Sequence, residues 1–428
     1  MAFLRRRYCY QRVLGVQYYL KQPNFYNAKR PTVIMTNYSL PPANTALPKI
    51  AIIGGGLTGL LTATLLERAF NQDQNENQNH KKAGSPHITI FEKSRSVGRL
   101  ATRYHSDNVT SKNWQWAFGA QFFTAKTPEF QHFITPWLKT GLVQPWCAQV
   151  VTIAPTTDDA QLPNIRHKEQ WNTLQPRYIS TPKMTSWGRA LADELTHTTI
   201  KFQTRVAPLA QYAKNQVDKK TELFDETGAS LGWFDWVICT APNGQAVELM
   251  ADSGFARQAD ILKPQMLACY TLMLGWDAGQ PLPEIINSQE NPSWDVAYVN
   301  DSPLDRLFIE YQKPAHNELL PSITIHARND WSQAYVDDDI ETVKAQLLQA
   351  AQQLLKWDAD SAPSQIDCHR WRYAATEVDA QSKDKDDVLG VLVDQQHQWI
   401  VSGDWCGQGN IESCYQMAQD TVEAIIAG

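Results

Sequence analysis

The chain has 428 residues, of which 43% are hydrophobic and 20% are charged. This length suits two domains, and the composition excludes a wholly disordered chain, a collagen and a small disulfide-rich protein. The formal net charge is −6, but residues 1–48 contain seven basic and no acidic side chains, so the rest of the chain carries −13. An acidic body of this kind argues against broad nucleic-acid binding.

The seven cysteines include no Cys-x-x-Cys pair, and the ten histidines include no His-x-x-x-His pair. Scattered cysteines, odd in number, predict reduced thiols in a cytoplasmic protein, with neither a disulfide framework nor a metal site. The best candidate for a membrane span, residues 50–66, is interrupted by four glycines and is better explained as a strand, a turn and a helix. We therefore expect no membrane partner.

Residues 1–48 are basic and aromatic, without clean periodicity. Three interpretations remain open: a disordered tail, a targeting segment, or an upstream start-site error with the true start at Met35. The segment lacks the uninterrupted apolar stretch of a secretory signal, which favours the tail or the start-site error.

The pattern of residues 49–91 predicts one β-α-β unit. Residues 50–53 are apolar and predict a buried strand, residues 57–70 have helical periodicity, and residues 87–91 predict the next strand. Between helix and strand, seven of the sixteen residues 71–86 are Asn or Gln, which predicts a solvated insertion.

Further elements are predicted along the rest of the chain by period-two and helical patterns. No internal repeat is found. The predicted strands are residues 233–240, 269–276 and 399–402, and the predicted helices are residues 338–355 and 411–427.

The turn after the first strand has the sequence Gly54-Gly55-Gly56-Leu57-Thr58-Gly59, which matches the dinucleotide motif G-x-G-x-x-G. Gly54 permits the sharp turn, Gly56 lets a pyrophosphate approach the backbone, and Gly59 lets the helix pack closely on the strand. The free N–H groups at the start of the helix can then bind the phosphates.

An acidic residue that could bind the same dinucleotide lies at the end of the second predicted strand. Glu92, which Lys93 follows, suits the adenosine ribose because a carboxylate accepts two hydrogen bonds. The separation from Gly59 exceeds the usual spacing of about 20 residues, and the polar insertion accounts for the excess. The alternative is a glycine-rich turn with an unrelated surface Glu.

Two further segments favour FAD over a nicotinamide cofactor. Arg99 follows Glu92 closely and can neutralise a pyrophosphate. Asp404 can bond ribityl or ribose hydroxyls, and it leads into a final helix whose N-terminus can face a flavin. The alternatives are a surface salt bridge for Arg99 and a capping role for Asp404.

The order of these motifs resembles the FAD-dependent amine-oxidase superfamily and, within it, the renalase family. The resemblance spans residues 49–428 and implies non-covalent FAD on a two-domain α/β fold, Rossmann-like and p-hydroxybenzoate-hydroxylase-like, with a mixed-sheet substrate domain. Five segments carry it: residues 54–59, residues 92–103, Gly119-Ala120-Gln121-Phe122-Phe123-Thr124, Arg370-Trp371-Arg372-Tyr373, and Gly403-Asp404 with the following helix.

The resemblance implies a discontinuous FAD domain of residues 49–105, 182–250 and 386–428. The substrate domain would be residues 106–181 and 251–385. The cofactor-binding residues would be Gly54, Gly56, Leu57, Thr58, Gly59, Glu92, Lys93, Arg99, Gln121, Phe122, Val206, Asp404 and Ile411. The substrate-binding residues would be Phe123, Thr124, His326, Trp371 and Tyr373.

Structural roles compete with several of these assignments. Adjacent strand residues face opposite ways, so one of Phe122 and Phe123 is expected in the core. A lone histidine such as His326 is more often structural than functional. Trp371 belongs either to a pocket wall or to an edge strand with a buried Trp.

The resemblance implies an oxidase that converts 2- or 6-dihydronicotinamide dinucleotides to NAD(P)+ by hydride transfer to the flavin, with dioxygen reduced to hydrogen peroxide. The sequence singles out no catalytic acid-base pair, which suits hydride transfer because no proton has to be removed. The alternatives are an amine oxidase or desaturase, often with a Lys near the flavin, a non-catalytic flavin-binding protein, and a nicotinamide-dependent monooxygenase.

Overall fold

The computed structural model describes residues 47–76, 86–95, 98–107, 110–156, 162–212, 219–286, 294–316, 318–377 and 388–427. The predictions about a tail, a targeting segment or a start at Met35 therefore lie outside the described residues. Within these ranges, no helix has the length and apolar character needed to cross a membrane.

Helices and strands occur throughout the described ranges. The helices are α1 (Leu57–Glu76), α2 (Pro128–Thr140), α3 (Thr185–Asp193), α4 (Leu209–Tyr212), α5 (Asn243–Met250), α6 (Gln258–Ile261), α7 (Asn329–Ala334), α8 (Ile340–Leu355) and α9 (Ile411–Ala427). Short 3-10 helices are Gly98–Leu100, Glu284–Ile286, Glu310–Gln312 and Asp404–Cys406.

The strands of the first part of the chain are β1 (Lys49–Ile53), β2 (His87–Glu92), β3 (Thr102–Ser106), β4 (Asn113–Ala117), β5 (Val143–Pro145), β6 (Gln149–Ala154), β7 (Asn164–Gln170), β8 (Tyr178–Ser180) and β9 (Thr198–Phe202). The later strands are β10 (Thr221–Phe224), β11 (Ser230–Phe234), β12 (Trp236–Cys239), β13 (Met266–Gly275), β14 (Val296–Val299), β15 (Leu304–Ile309), β16 (Ser322–Ala327), β17 (Gln365–Thr376), β18 (Leu392–Asp394) and β19 (Trp399–Val401).

The first large sheet has the strand order β18-β19-β12-β1-β2-β9. All its pairs are parallel except the edge pair β18–β19. Its centre is apolar, because Ile50, Ala51 and Ile52 are completely buried, as parallel strands covered on both faces must be. The predicted β-α-β unit and the predicted strand near residue 400 are confirmed.

Helix α1 begins where the sequence predicts but ends later. It reaches Glu76, six residues into the segment predicted as a solvated insertion. The polar residues 71–76 contain no Gly or Pro, and an established helix gains one hydrogen bond with each added residue, so they continue it. The helix end predicted at residue 70 was therefore wrong. Most of the remaining insertion lies outside the described residues.

The second large sheet has the order β17-β13-β16-β15-β14-β6-β7 and is antiparallel except for the pair β14–β6. Helix α8 packs on one face through Val343, Leu347 and Leu354. Asp339 caps this helix by accepting from the backbone N–H groups of Glu341 and Thr342. The predicted mixed sheet and the predicted helix near residues 338–355 are confirmed.

The single strand predicted at residues 233–240 is two strands. β11 forms a hairpin with β10, whereas β12 joins the parallel sheet. The break is at Asp235, whose N–H donates to Lys49 O and whose carboxylate accepts from Lys49 N, each at 2.8 Å. Both backbone groups of Lys49 are thereby paired at the start of β1, and the chain passes from one sheet to the other at Asp235.

The parallel strands end at one edge of the first sheet, where an α/β fold normally binds its ligand. Residues that follow the ends of β1, β2, β12 and β19 all line one cavity there, and the mixed sheet covers it. The strands of the parallel sheet fall within the segments predicted for the FAD domain. The boundaries of the two domains stay a prediction.

Candidate functional site

The cavity has a volume of about 1140 Å³. Every residue predicted to bind cofactor or substrate lines it, except Gly59. Gly59 lies beneath the glycine-rich turn, where a Cβ would come within 2.1 Å of Gly54 O. The fold therefore brings the predicted residues together, while their individual roles stay predictions.

The glycine-rich turn has the geometry that the motif requires. Gly54 has φ +119°, a backbone conformation that L side chains rarely adopt, and its N–H donates to Phe91 O at 2.9 Å. A Cβ on Gly56 would meet no atom within 4 Å, so the backbone of this residue is open to the cavity. Leu57 and Thr58 begin α1 and line the cavity as well. A phosphate placed here would face the helix N-terminus.

Glu92 holds the turn against the second strand. One carboxylate oxygen accepts from Gly55 N and the other from Ser94 N, both at 2.7 Å. A carboxylate has about four lone-pair sites, so two remain for ribose hydroxyls. Glu92 is buried, whereas the neighbouring Lys93 is exposed at the rim of the cavity. This arrangement fits an adenosine ribose.

Arg99 and Asp404 form an ion pair across the cavity. Arg99 Nη2 lies 2.5 Å from Asp404 Oδ1, and Nη1 donates to Ala374 O at 3.1 Å. Burial lowers the pKa of Arg99, but the charge of Asp404 and its hydrogen bond together outweigh burial, and the net pKa is raised. The two residues predicted to bind pyrophosphate and ribityl groups are thus also partners of each other.

The N-terminus of α9 faces the same cavity. Asn410, Ile411 and Cys414 line it beside Asp404. Burial, with the nearby charge of Asp404, raises the pKa of the Cys414 thiol to about 12. Cys414 is therefore a neutral thiol at physiological pH, and a neutral thiol is a poor nucleophile.

The mixed sheet presents one row of polar side chains to the cavity. Thr271 on β13 pairs with His369 on β17 and with His326 on β16, which in turn pairs with Arg306 on β15. Residues directly opposite in neighbouring strands point to the same face, and all four line the cavity. A flat ligand bound here would meet two imidazoles on either side of Thr271, with a cation at one end of the row.

Both imidazoles in this row are uncharged at neutral pH. Burial, reinforced by Arg306 and Lys313, lowers the pKa of His326 to about 3. Burial and Arg103 lower the pKa of His369 to about 4. These two members of the row are therefore neutral hydrogen-bonding groups near pH 7.

Aromatic rings continue this surface. Trp371 donates from Nε1 to Phe118 O at 2.8 Å and stacks on the Phe118 ring at 5.3 Å between centroids. His369 lies 4.4 Å from Trp371, ring centre to ring centre. Trp371 lies on an edge strand and also lines the cavity, so both interpretations of this residue describe part of its environment.

The adjacent Phe122 and Phe123 lie in different environments, as expected. Phe123 is 4% exposed and stacks on Trp187 with centroids 5.1 Å apart, so its ring belongs mainly to the core. Phe122 is half-buried against Trp171. Thr124 follows at the cavity wall.

Two predicted residues lie at the parallel-sheet side of the cavity. Val206 is buried and forms an isolated β-bridge with Asp225, and two residues earlier Thr204 N donates to Glu92 O at 3.0 Å. The Tyr373 hydroxyl packs against Gly244, where any Cβ would come within 2.3 Å of it. Gly244 is therefore the residue that leaves room for this tyrosine.

Sequence reasoning missed several residues at the site. The alternation that grouped Trp371 with Tyr373 also places His369 on their face, so this histidine could have been found. Lys313 had no such signal: it is 3% exposed at its side chain and pairs with the fully buried Glu310 at 2.8 Å. Its Nζ also donates to Gln121 Oε1 at 2.7 Å, which places a buried lysine directly behind the cavity.

Comparisons with known proteins support the architecture. Residues 52–136 match the model of an NAD(P)-binding Rossmann-like domain. A candidate protoporphyrinogen oxidase from Exiguobacterium sp. 255-15 is similar in structure, with a TM-score of 0.63 and 13% identity over 90% of this chain and 99% of its own. A putrescine oxidase bound to putrescine has a TM-score of 0.60 and 11% identity over 90% of this chain and 100% of its own. The chain therefore has the mixed α/β fold of these oxidases, with a Rossmann-like dinucleotide-binding unit, as its sequence predicted.

Proposed function

We propose that this protein is a renalase-like, FAD-dependent oxidase of isomeric dihydronicotinamide dinucleotides. It would convert the 2- or 6-dihydro forms to NAD(P)+. The observation that carries the proposal is the row of uncharged imidazoles with its adjoining aromatic rings, which faces the dinucleotide turn across one cavity. A flat, partly polar heterocycle suits this surface.

The residues at the turn fit FAD. Gly56 leaves open backbone for a pyrophosphate, Glu92 retains acceptor sites for a ribose, and Arg99 supplies positive charge beside Asp404. Bound non-covalently, the flavin would supply the acceptor for the hydride and return the electrons to dioxygen.

The reaction balances without an acid or base from the protein. One dihydronicotinamide loses a hydride, and with one dioxygen and one proton from solvent it gives NAD(P)+ and one hydrogen peroxide. The nitrogen lone pair of the dihydropyridine drives hydride departure. The chain then has to position the donor ring and exclude water, and neutral His326 and His369 suit a ring that becomes cationic.

Amine oxidation is the second candidate, and two observations favour it: the likeness to a putrescine oxidase and the buried Lys313 behind the cavity. The charges at the mixed sheet disfavour it. A substrate ammonium would meet the Arg306 cation, while Asp305 is already paired with Arg306 Nε at 2.6 Å. A positively charged amine gains little from such a surface.

Anaerobic spectral titration tests the proposal. The purified protein should be yellow, and its flavin absorbance should bleach rapidly with 2- or 6-dihydro-NAD(P) but not with putrescine or another primary amine. Rapid bleaching by the amine alone would establish the second candidate instead. A yellow protein that no donor bleaches would indicate a flavin-binding protein without turnover.

A further inference from the structure

A chain of polar side chains runs from the interior to the cavity. Glu310 and Lys313 form a buried ion pair, and Lys313 Nζ donates to Gln121 Oε1 at 2.7 Å. Gln121 Nε2 donates to Ala117 O and lies 3.4 Å from His326 Nε2. The buried charge is thus linked to a cavity-lining imidazole through one amide.

The orientation of that amide is determined by its neighbours. The Lys313 ammonium has only donors, and the carbonyl of Ala117 only accepts. Exchanging the oxygen and nitrogen of Gln121 would place NH₂ against the ammonium and oxygen against the carbonyl oxygen. Both contacts would then be repulsive, so the NH₂ group has to face His326.

The tautomer of His326 follows from this orientation. A donor from Gln121 requires that His326 Nε2 accept, and a neutral imidazole then carries its proton on Nδ1. Burial beside the cations Arg306 and Lys313 keeps this imidazole neutral. In the described part of the chain, Nδ1 has no hydrogen-bond partner. His326 therefore has one N–H donor left over, at the wall of the cavity.

We propose that His326 Nδ1–H binds a carbonyl oxygen of the substrate, and that Lys313 and Gln121 are positioning residues that fix this donor. The substrate class is a flat ring compound bearing a carbonyl, such as a ring carboxamide. The inference deepens the proposed function, since a dihydronicotinamide carries such a group. An ammonium group only donates, so it cannot accept a hydrogen bond from His326 Nδ1–H.

The first experiment reads the tautomer by ¹⁵N-histidine NMR of the holoprotein at pH 7.5, with the signal assigned by H326N. The wild type should show a neutral ring with the proton on Nδ1. Q121M should give a tautomer mixture, because methionine offers no donor to Nε2 while the Glu310–Lys313 pair is kept. The matched control is K344M, which removes a half-buried lysine that pairs with Glu341 and does not line the cavity. It should leave the signal unchanged.

A second variant tests the lysine itself. K313M alone would leave Glu310 buried without its partner, so the double variant E310Q/K313M is used to remove both charges. Ala117 O alone then orients the Gln121 amide, so the fraction of His326 protonated on Nε2 should rise above that of the wild type. A wild-type ring protonated on Nε2, or an Nδ1–H ring that persists in both Q121M and E310Q/K313M, would overturn the inference.

The second experiment measures binding of NAD+ and of its thionicotinamide analogue through changes in the flavin spectrum. Sulfur is the weaker acceptor, so the wild type should prefer NAD+ by about three- to tenfold, the value of one hydrogen bond. H326L should lose this preference and H326N, which keeps an amide N–H, should retain part of it. Equal preference in wild type and H326L would refute the inference.

The two proposals fail separately. A flavin that no dihydronicotinamide bleaches would refute the proposed function, while the Nδ1–H tautomer and the preference for the carbonyl ligand would still support the inference. Bleaching by a dihydronicotinamide together with an Nε2–H tautomer would support the proposed function and refute the inference.

Discussion

His326 and His369 have pKa values far below that of a free imidazole because burial and nearby cations disfavour their charged forms. At these two positions, a ring that acquires positive charge contacts neutral groups that do not repel it.

The pH dependence of flavin bleaching should reflect these values. With pKa values of about 3 and 4, both imidazoles are neutral above pH 5, so we expect the rate with a dihydronicotinamide to be flat from pH 5 to 8.5. Below pH 5 the rate should fall, since protonated rings repel the developing cation. Stopped-flow measurements at constant ionic strength test this. An amine substrate would instead react faster as pH rises and its ammonium loses a proton.

Arg99 supplies a positive charge that should contribute to FAD binding. R99A should weaken FAD binding by about 10- to 100-fold, because a hydrogen bond to a charged group contributes about 1.5–3 kcal/mol. Titration of the apoprotein with FAD, followed by flavin fluorescence, measures this. R95A removes an exposed arginine that does not line the cavity and serves as the control. Unchanged affinity in R99A would mean that Arg99 serves only to pair with Asp404.

The glycine-rich turn is the element that the sequence predicts best. A motif of fixed spacing after a buried strand leaves few backbone solutions, and the structure has the expected one. Gly56 and Gly59 differ in what surrounds them, although both adopt backbone angles that alanine tolerates.

Two alanine substitutions should separate the functions of this turn. G56A should fold normally but lose most FAD affinity, because its Cβ enters open space where a pyrophosphate has to approach. G59A should lower the free energy of unfolding of the apoprotein by about 1–3 kcal/mol, because its Cβ meets Gly54 O. Urea unfolding and FAD titration of both variants test this. Equal loss of stability in the two would contradict it.

Strand predictions fail where a turn residue is polar but not Gly or Pro. Asp235 divides one apolar run into two strands of different sheets through its pairing with Lys49, a residue far away in sequence. Helix α1 extends beyond its predicted end for the opposite reason. Its extension needs no distant contact, because local helix propensity is sufficient to continue it. Local patterns therefore predicted the existence of these elements better than their ends.

The whole molecule depends on contacts between distant segments. Glu412, in the first turn of α9, is 6% exposed and accepts from Lys126 N, Thr127 N and Thr127 Oγ1. It thereby ties the last helix to the start of α2, directly after the cavity-lining residues 119–124. This contact joins two segments that are far apart in the chain and adjoin the cavity-lining residues.

Weakening this contact should destabilise the whole protein. E412Q replaces one acceptor oxygen by NH₂, which faces the same donors, and should lower the free energy of unfolding by about 1–3 kcal/mol. E423Q, an exposed position on the same helix, is the control and should change little. Thermal and urea unfolding test this. Equal stability of the two variants would show that the three donors find other partners.

The sequence by itself determined the dinucleotide turn and the β-α-β unit, because these follow from glycine spacing and hydrophobic period. The mixed sheet was expected only from the family resemblance of the motifs. Only the tertiary structure decided which polar side chains meet at the cavity. His369, Thr271, His326 and Arg306 lie on four strands far apart in the chain and become neighbours through strand register. The Glu310–Lys313 pair is likewise visible only once burial is known, since a charged residue in a sequence carries no sign of being buried.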